Sequence, residues 1–329
     1  MRYFLGISLI ILLSACANLG QYKGRTEQSG SSRSNQPNLS TETNLKFAFL
    51  NVGQGDATLI TSAGETMLID AGLPGKGQSV VLPYMQEHNI DKLEYIVATH
   101  YHEDHIGGIA EVIKGPDQIL GTSDDIIPFN GILDHGGSYA GPIYDEYLEV
   151  TANLRRPTYA GERFNLGQAT VAVLAAGGEL SNGTQMSAHE NFDENSASIV
   201  LLLEQDDFNY LHEADITGGG GDPPYETVDL ETEIGYLAGD VDLLRVAHHG
   251  SKTSTNQEFI NTVTPEIAIL SVGDDNDYGH PHDEVIERLI EAGVDTYLTE
   301  SGWLDNDYAL EELIHVQNDT IEINLADDN

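Results

Sequence analysis

The chain has 329 residues, of which 40% are hydrophobic, so it is long enough for one large domain or two ordinary ones. Its 54 acidic residues outnumber 14 basic ones, which gives a formal net charge of −40 and an isoelectric point near 4.2. A surface of this charge repels nucleic acid, anionic membranes and anionic substrates at long range, and it argues against a broad basic nucleic-acid groove. We interpret it as a solvated acidic coat, as in proteins that work in high salt.

The first 16 residues, MRYFLGISLIILLSAC, predict a secretory signal peptide. One arginine precedes an apolar stretch that is too short to span a bilayer and that ends in small residues. The LSAC ending resembles a bacterial lipobox, which implies lipidation of Cys16. Because Cys16 is the only cysteine, we expect no disulfide within one molecule and no sulfur in a metal site. We expect an extracytoplasmic protein, lipid-anchored to a bacterial membrane at the outer membrane, the cell surface or the periplasmic face.

Residues 17–44 are rich in Ser, Asn, Gln and Gly, which predicts a flexible linker between the lipid and a folded domain. The pattern changes at Leu45, and we expect one domain over residues 45–329 without an internal repeat.

Strands and helices alternate along this domain. The first half predicts, in chain order, a strand at LKFAFLNVGQG, a hairpin at DATLITSAGETMLIDAG, a helix at SVVLPYMQEHNI, a buried strand at KLEYIVATH and a helix at IGGIAEVIKG. Residues 114–170 are less regular. The second half predicts strands at TVAVLAAGG, SASIVLLLEQDDFNYLHEAD, VDLLRVAHHGS and TPEIAILSVG, a surface loop at TGGGGDPPYETVD, a helix at DEVIERLIEAGV and a last strand at DTIEINL. This alternation favours an α/β layered fold.

Three histidines and an aspartate follow the buried strand in the order H-x-H-x-D-H. His100 and His102 can converge on one metal ion, and Asp104 and His105, at the start of a helix, can point at a second. Glu103 is expected to face away. Imidazole and carboxylate donors suit zinc, manganese or iron, so the motif predicts a metal site.

This motif resembles the signature of the metallo-β-lactamase superfamily. The blocks LNVGQGDATLI, GETMLIDAG, ATHYHEDHIGGI, ENSASIVLLLE, FNYLHEADI, VDLLRVAHHGSKTS and PEIAILSVGDDNDYGHPHDEVIERL then follow in the order found in the hydrolase domain of ComEC-type competence proteins, which handle DNA at the cell surface. The resemblance covers about residues 45–329, with a looser middle. It implies the α/β class, with the αββα four-layer sandwich of the metallo-β-lactamase fold.

The resemblance also implies two divalent metal ions, Zn²⁺ or Mn²⁺. Asp215 in LHEAD matches an aspartate that bridges two metals, although Glu-Ala here replaces the Thr-Gly that usually precedes it; an anion between two cations offsets their repulsion. His248 in AHHGS matches a ligand of the second metal. For His249 we expect a supporting or substrate-binding role. The opposite assignment, with His249 as the ligand and His248 in the supporting role, stays open. The implied metal ligands are His100, His102, Asp104, His105, Asp215 and His248.

One ligand of the wider superfamily has no counterpart. Asn195 stands where a further histidine is usual, as it does in the competence branch, and His189 lies nearby but out of register. Without a replacement the first metal is held more weakly, so manganese or a loosely held second ion stays an alternative to two tightly bound zinc ions. Asp56 and Asp70 are each expected to orient a ligand histidine through its other ring nitrogen. Asn51 replaces the aspartate usual in this family and changes one such contact.

The loop VGDDNDYGHPH supplies His280, which the resemblance places above the metals. There it can donate to a phosphate oxygen or protonate a leaving group. His282 is expected to be an exposed residue at a helix start. The implied mechanism is attack on phosphorus or carbonyl carbon by a hydroxide whose parent water has a pKa of roughly 7 between two ions. The implied catalytic residues are Asp104, His249 and His280.

A weaker pattern, GPDQILGTSDD, resembles short calcium-binding loops. Asp117, Asp124 and Asp125 are its candidate Ca²⁺ ligands, but the regular spacing and closing glutamate of such loops are missing. An acidic surface loop is the alternative.

The function that the resemblance implies is an extracytoplasmic metal-dependent hydrolase, a phosphodiesterase or nuclease acting on nucleic acid or a small phosphodiester. The alternatives are a hydrolase of a small molecule such as a lactone, a β-lactam or a cyclic phosphate, which the acidic surface favours, and a metal-binding lipoprotein without turnover. No apolar run of about 20 residues follows the signal peptide, so the channel of the competence proteins is not expected. We expect membrane contact through lipidated Cys16, and no protein partner is inferred.

Overall fold

A computed structural model describes residues 9–11, 45–221, 223, 226–305, 307–308 and 311–325. The predicted lipid attachment at Cys16 and the linker 17–44 lie outside the described residues and stay predictions. Leu9–Ile11 pairs antiparallel with Ile323–Leu325, so three residues of the predicted signal peptide lie at a sheet edge. The signal peptide itself also stays a prediction. No helix among the described residues is long and apolar enough to cross a bilayer.

The strands among the described residues form two sheets. In chain order the strands are β1 (Leu9–Ile11), β2 (Leu45–Phe49), β3 (Thr58–Ser62), β4 (Glu65–Ile69), β5 (Tyr95–Val97), β6 (Ile132–Asp134), β7 (Arg155–Pro157), β8 (Arg163–Leu166), β9 (Ala169–Ala176), β10 (Glu179–Leu180), β11 (Val200–Gln205), β12 (Phe208–His212), β13 (Leu243–Arg245), β14 (Ile267–Leu270), β15 (Asp295–Leu298), β16 (Ile314–Val316) and β17 (Ile321–Leu325).

Each sheet combines an antiparallel half with a parallel half. The first has the order β1-β17-β2-β3-β4-β5-β6-β7, and its pairing becomes parallel from β4 onward. The second has the order β10-β9-β11-β12-β13-β14-β15-β16, with β8 beside β9, and becomes parallel from β12 onward. The parallel strands end in the loops that carry the predicted metal ligands.

Helices cover both sheets. They are α1 (Leu82–Glu87), α2 (Glu103–Ile106), α3 (Ile109–Lys114), α4 (Pro142–Thr151), α5 (Glu231–Ala238), α6 (Gln257–Val263) and α7 (Asp283–Ala292). A π-helical turn at Gly77–Val81 precedes α1, and short 3-10 turns lie at Asn195–Ala197 and Ala247–Gly250.

Three apolar cores separate four layers, and strand β2 shows how the sequence builds them. Leu45, Phe47 and Phe49 point between the two sheets, while Ala48 and Leu50 point outward to the helices. This alternation follows from the two-residue period of a strand. The outer core of the first sheet includes residues of α1, α3 and α4, and that of the second includes residues of α5, α6 and α7. The predicted αββα sandwich is therefore confirmed.

The structure departs from the sequence prediction in two segments. The segment from 114 to 170, predicted to be irregular, contains strands β6 to β8 and helix α4, whose Tyr144 and Tyr147 are buried. The single helix predicted at IGGIAEVIKG is divided into α2 and α3 by Gly107 and Gly108. A Cβ atom on Gly108 would lie 2.2 Å from the carbonyl oxygen of Ala71, so only glycine permits this backbone approach.

Candidate metal centre

The motif residues gather where strands of both sheets end. His100 follows β5, Asp215 follows β12 and His249 follows β13. All three side chains are buried, and His105 on α2 is buried beside them. Residues far apart in the sequence thus meet at one end of the two sheets.

The first two histidines of the motif face each other. Nε2 of His100 lies 3.0 Å from Nδ1 of His102, so both nitrogens can bind one ion. Burial lowers the pKa of His100 well below its ordinary value, and the nearby His105 lowers it further. The His100 ring is therefore neutral, the state in which imidazole binds a metal.

Asp70 fixes the orientation of His105. Its Oδ2 accepts a hydrogen bond from Nδ1 of His105 at 2.7 Å, and the backbone N–H and hydroxyl of Thr99 donate to the same carboxylate at 2.9 and 2.6 Å. With Nδ1 held in this way, Nε2 of His105 points toward the cluster. Burial lowers the pKa of His105, but the carboxylates of Asp215, Asp104 and Asp70 together raise it well above its ordinary value. A cation at Nε2 would replace that bound proton.

Asp215 lies in the middle of the cluster. Its Oδ1 is 3.3 Å from Nε2 of His105, and its Oδ2 is 3.6 Å from Nε2 of His249 and 3.9 Å from Nε2 of both His100 and His248. Burial raises the pKa of Asp215, but His105, His249 and His248 lower it well below its ordinary value. The carboxylate is therefore ionised and is within reach of both halves of the site.

The geometry favours the exchange of roles between His248 and His249 that the resemblance leaves open. Nδ1 of His249 donates to the carbonyl oxygen of Ser271 at 2.8 Å, and its Nε2 lies 3.3 Å from Oδ2 of Asp104. Nε2 of His248 instead lies 3.2 Å from Nδ2 of Asn195. Both histidines have a left-handed backbone, with φ of 49° and 53°. The geometry thus favours His249, rather than His248, as the ligand beside Asp104.

The donors fit divalent ions. The described residues include two adjoining groups whose ligand atoms all lie within 4.8 Å of one another, namely His100, His105 and Asp215, and Asp104, His105 and His249. Three atoms of these groups are buried without a hydrogen-bond partner among the described residues: Nε2 of His105, Nε2 of His249 and Oδ1 of Asp215. Buried polar atoms are rarely left unpaired, and two imidazole nitrogens beside a carboxylate oxygen are donors that fit a divalent cation.

Asn195, which the resemblance places where a further histidine is usual, lies beside His248. Because its Nδ2 donates to His248, its Oδ1 is left buried with no partner among the described residues. An amide oxygen is a harder donor than an imidazole nitrogen and suits Mn²⁺ better than Zn²⁺. His189, the out-of-register candidate, is exposed, and its Nδ1 accepts from the backbone N–H of Asn191.

The prediction that Asp56 holds a ligand histidine is wrong, because Asp56 is paired elsewhere. Its Oδ2 lies 2.9 Å from Nε of Arg245 and 3.4 Å from Nε2 of His212. Burial raises the pKa of Asp56, but the guanidinium of Arg245, with smaller contributions from nearby histidines, lowers it overall. Arg245 is fully buried; its Nη1 donates to the carbonyl of Ala214 at 2.6 Å and lies 3.8 Å from Oδ1 of Asp215.

Sequence reasoning missed Arg245. A single arginine inside the apolar run VDLLRVAHHGS was the signal for it, because an arginine is rarely buried unless it is paired. It acts on the cluster by positioning the backbone beside Asp215, with Asp56 as its counter-ion.

Glu213 and Ala214 precede Asp215 where the family that the chain resembles usually has Thr-Gly. As a result, a buried carboxyl group lies behind the site. Both oxygens of Glu213 are buried without a hydrogen-bond partner among the described residues. Burial, together with the nearby Glu231, raises the pKa of Glu213 well above its ordinary value. Glu213 is therefore a neutral acid and adds no charge to the cluster.

His280 overhangs the second half of the cluster. Its ring centre lies 5.5 Å from that of His248 and 6.3 Å from that of His249. Asn276 braces the loop, since its Oδ1 accepts from the backbone N–H of His280 at 3.0 Å and its Nδ2 donates to the His280 carbonyl at 2.9 Å. Burial, with help from both histidines, lowers the pKa of His280 to about 2. Its ring is therefore neutral, which disfavours the predicted role of protonating a leaving group, and its Nδ1 is buried without a hydrogen-bond partner among the described residues.

Two further predicted residues differ from the expectation. His282, at the start of α7, is half-buried rather than exposed, and its Nδ1 accepts from the backbone N–H of Lys252 at 3.2 Å. Glu103 is exposed, but it lines the cavity that contains the metal ligands and therefore does not face away from them. Asn51 uses its side-chain oxygen to accept from the backbone N–H of Gly53 at 3.0 Å.

The acidic loop after α3 gives no support to the calcium prediction. Asp117 accepts from the backbone of Ile119, Asp124 from that of Asp117, and Asp125 from that of Gly121, at 2.7 to 2.9 Å. These carboxylates are used to close the loop on itself, and they do not form one of the compact donor groups found among the described residues.

The metal cluster opens into a cavity of about 500 Å³. Among the described residues that line it, tyrosines and histidines are frequent and lysine and arginine are absent. The lining residues outside the metal motif include Gln54, Tyr101, Tyr139, Tyr144, Tyr278 and His280. The protein side chains near the cluster therefore supply no exposed permanent positive charge.

Fold and site together define a protein of the metallo-β-lactamase type. Residues 50–154 match the Metallo-beta-lactamase superfamily, and the chain therefore carries a domain of that superfamily.

The curated relatives of this chain have more specific names than the superfamily. Recombination protein 2 of Haemophilus influenzae is 30% identical over 245 residues, which cover 73% of this chain and 26% of that protein. ComE operon protein 3 of Bacillus subtilis is 27% identical over 270 residues, which cover 77% of this chain and 31% of that protein. The chain thus spans between a quarter and a third of the length of these curated relatives. Competence protein ComA of Neisseria gonorrhoeae is 26% identical over 266 residues, which cover 79% of this chain and 31% of that protein, and it confirms the predicted resemblance to competence proteins.

Among solved structures, the metallo-beta-lactamase fold protein YhfI from Bacillus subtilis is 12% identical, with a TM-score of 0.48 over 78% of this chain and 98% of that chain.

The exchange of roles between the adjacent histidines is testable by comparing His248→Asn with His249→Asn. Asparagine tolerates the left-handed backbone at both positions and is too short to replace an imidazole. We expect His249→Asn to lose one bound ion per chain, because it removes the donor beside Asp104. Metal analysis after dialysis should find His248→Asn unchanged in stoichiometry. The reverse pattern would restore His248 as the ligand.

Proposed function

We propose that this protein is a metal-dependent hydrolase of phosphodiesters, a phosphodiesterase or nuclease. The observation that carries the proposal is the pair of adjoining donor groups that meet at His105 and open into one cavity. The names of its relatives refer to recombination and competence, which supports a nucleic-acid or nucleotide diester as the substrate.

The ligands divide into two sets around Asp215. His100 and His102 would hold one ion and Asp104, His105 and His249 the other, with Asp215 reaching both. Bound divalent ions, Zn²⁺ or Mn²⁺, supply Lewis-acid activation of water and of a phosphoryl oxygen. The protein contributes fixed orientation, since Asp70 and the Ser271 carbonyl hold the far nitrogens of two ligand rings.

His280 overhangs the side of the site that contains His248 and His249 and would contact the substrate there. Because its ring is neutral, it donates an N–H to an oxygen that gains negative charge in the transition state. Asn276 holds the loop that presents it. The catalytic role that we assign to Asp104 is that of a metal ligand. His249 would bind the same ion.

A second candidate is a hydrolase of a small molecule, such as a lactone, a β-lactam or a cyclic phosphate. The lining of the cavity favours it, because the described lining residues include no lysine or arginine to follow a phosphate backbone.

We also propose that the protein is an extracytoplasmic lipoprotein, bound to a bacterial membrane through Cys16. The lipobox-like LSAC segment supports this location. Cys16→Ser should remove metabolic labelling by a fatty acid and shift the protein from the detergent phase to the aqueous phase. Labelling that persists in Cys16→Ser would contradict the lipid site.

The hydrolase proposal is tested with the purified full chain loaded with Zn²⁺ or Mn²⁺. We expect turnover of bis-p-nitrophenyl phosphate, and a loss of at least two orders of magnitude in Asp104→Asn, because the variant weakens the donor beside His249. Asp117→Asn, in the exposed loop after α3, is the matched control and should keep full activity.

The same preparations are assayed with single-stranded and double-stranded DNA, a lactone and a β-lactam. DNA cleavage would assign a nuclease, and ring opening without diester turnover would assign the second candidate. Bound metal without turnover of any of these substrates would leave a binding protein and refute both.

A further inference from the structure

Two exposed tyrosines stand at different ends of the metal cluster. Tyr278 is 68% exposed and Tyr139 is 39% exposed, although large aromatic side chains usually bury most of their surface. Both line the cavity that contains the metal ligands. They are therefore placed to contact whatever occupies that cavity.

Tyr278 adjoins the half of the site that contains His249. Its ring is stacked on that of His280, with centres 5.6 Å apart and planes 25° apart. Its backbone N–H donates to Oδ1 of Asn276, the residue that also braces His280. Asn276 thus holds Tyr278 and His280 separately through their backbones, and the large exposed fraction of Tyr278 leaves ring surface open to a ligand.

Tyr139 adjoins the other half of the site. Its ring meets that of His102 edge-on at 5.6 Å, and that of Tyr144 edge-on at 6.2 Å. Edge-to-face contacts of this kind use the rim of one ring and the face of another, and they fix the tilt of both. Tyr139 therefore has a defined orientation next to a predicted metal ligand.

The charge of the molecule limits what this cavity binds. A net charge of −40, with no lysine or arginine among the described lining residues, offers nothing to attract a long polyanion. The reacting phosphate would bind at the metal centre. The remaining affinity has to come from surfaces that are uncharged, and the tyrosine rings are surfaces of that kind.

We propose that Tyr139 and Tyr278 are stacking platforms for planar rings carried on either side of the scissile phosphate. The substrate is then a short phosphodiester with an aromatic base on one or both sides, of dinucleotide size, rather than a duplex or a long strand. This inference rests on the proposed phosphodiesterase function and names its substrate class.

The test uses the full chain in detergent and two matched substrates. One is the dinucleotide thymidylyl-thymidine, and the other is the same sugar-phosphate backbone without bases. We expect Tyr139→Leu and Tyr278→Leu to raise the KM for the dinucleotide by about ten-fold each, since stacking on an aromatic side chain contributes substantially per base. The kcat for the dinucleotide and the KM for the backbone without bases should change little.

Two further variants separate stacking from simple damage. Tyr139→Phe and Tyr278→Phe keep the ring and should retain the wild-type KM for the dinucleotide. Tyr159→Leu changes a 63% exposed tyrosine away from the cavity and should leave every value unchanged.

The outcomes distinguish the two proposals. Equal losses on both substrates, or a KM that does not respond to either leucine variant, would overturn the stacking role while diester hydrolysis stands. Faster hydrolysis of a long duplex than of the dinucleotide would overturn the size limit. Absence of turnover on every diester would refute the phosphodiesterase function, and the substrate class with it.

Discussion

Asp215 is an ionised carboxylate that is almost wholly buried, and the rest of the site is arranged around it. One of its oxygens has no hydrogen-bond partner among the described residues, and His105 is 3.3 Å away. A charge removed from water is costly unless an opposite charge compensates it. Imidazole nitrogens on several sides, with the guanidinium of Arg245 behind, identify that compensation as cationic. The burial of one carboxylate thus sets the chemistry of the whole centre.

The fold delivers this arrangement because its parallel strands end together. Strands β5, β12 and β13 each end in a loop that contributes a ligand, while the apolar cores keep the strands in register. Hydrogen bonds to the far ring nitrogens of His105 and His249 then aim the near nitrogens inward. Asp56 and Arg245 form a buried ion pair between the sheets, which ties the β3 side of the site to β13. Rigid positioning of this kind is what metal-assisted hydrolysis requires of a protein.

The local motif was readable from the sequence, because H-x-H-x-D-H brings its donors together within one loop. Asp215 was readable as well, because it follows an apolar strand in a segment, LHEAD, that resembles the family's aspartate motif. The choice between His248 and His249 was not, since it depends on two consecutive left-handed backbone conformations that turn one ring toward Asp104 and the other toward Asn195. Asp56 was misassigned because its partner, Arg245, lies 189 residues later in the chain and is joined to it only by the packing of the two sheets. Helix α4 was missed because its start is marked only by Gly141 and Pro142 within a polar stretch.

The acidic surface and the lining of the cavity both disfavour the binding of a long polyanion. The described residues that line the cavity include no lysine or arginine. In our proposal, selectivity therefore depends on shape and on uncharged ring surfaces such as that of Tyr278, which is stacked on His280. The proposed hydrolysis requires cations at the donor groups around Asp215. Anomalous diffraction from crystals of the metal-loaded protein tests this most directly. We expect two peaks about 3.5–4 Å apart, with Asp215 between them and His249 bound to one. A single peak remote from Asp215, or none, would contradict the account.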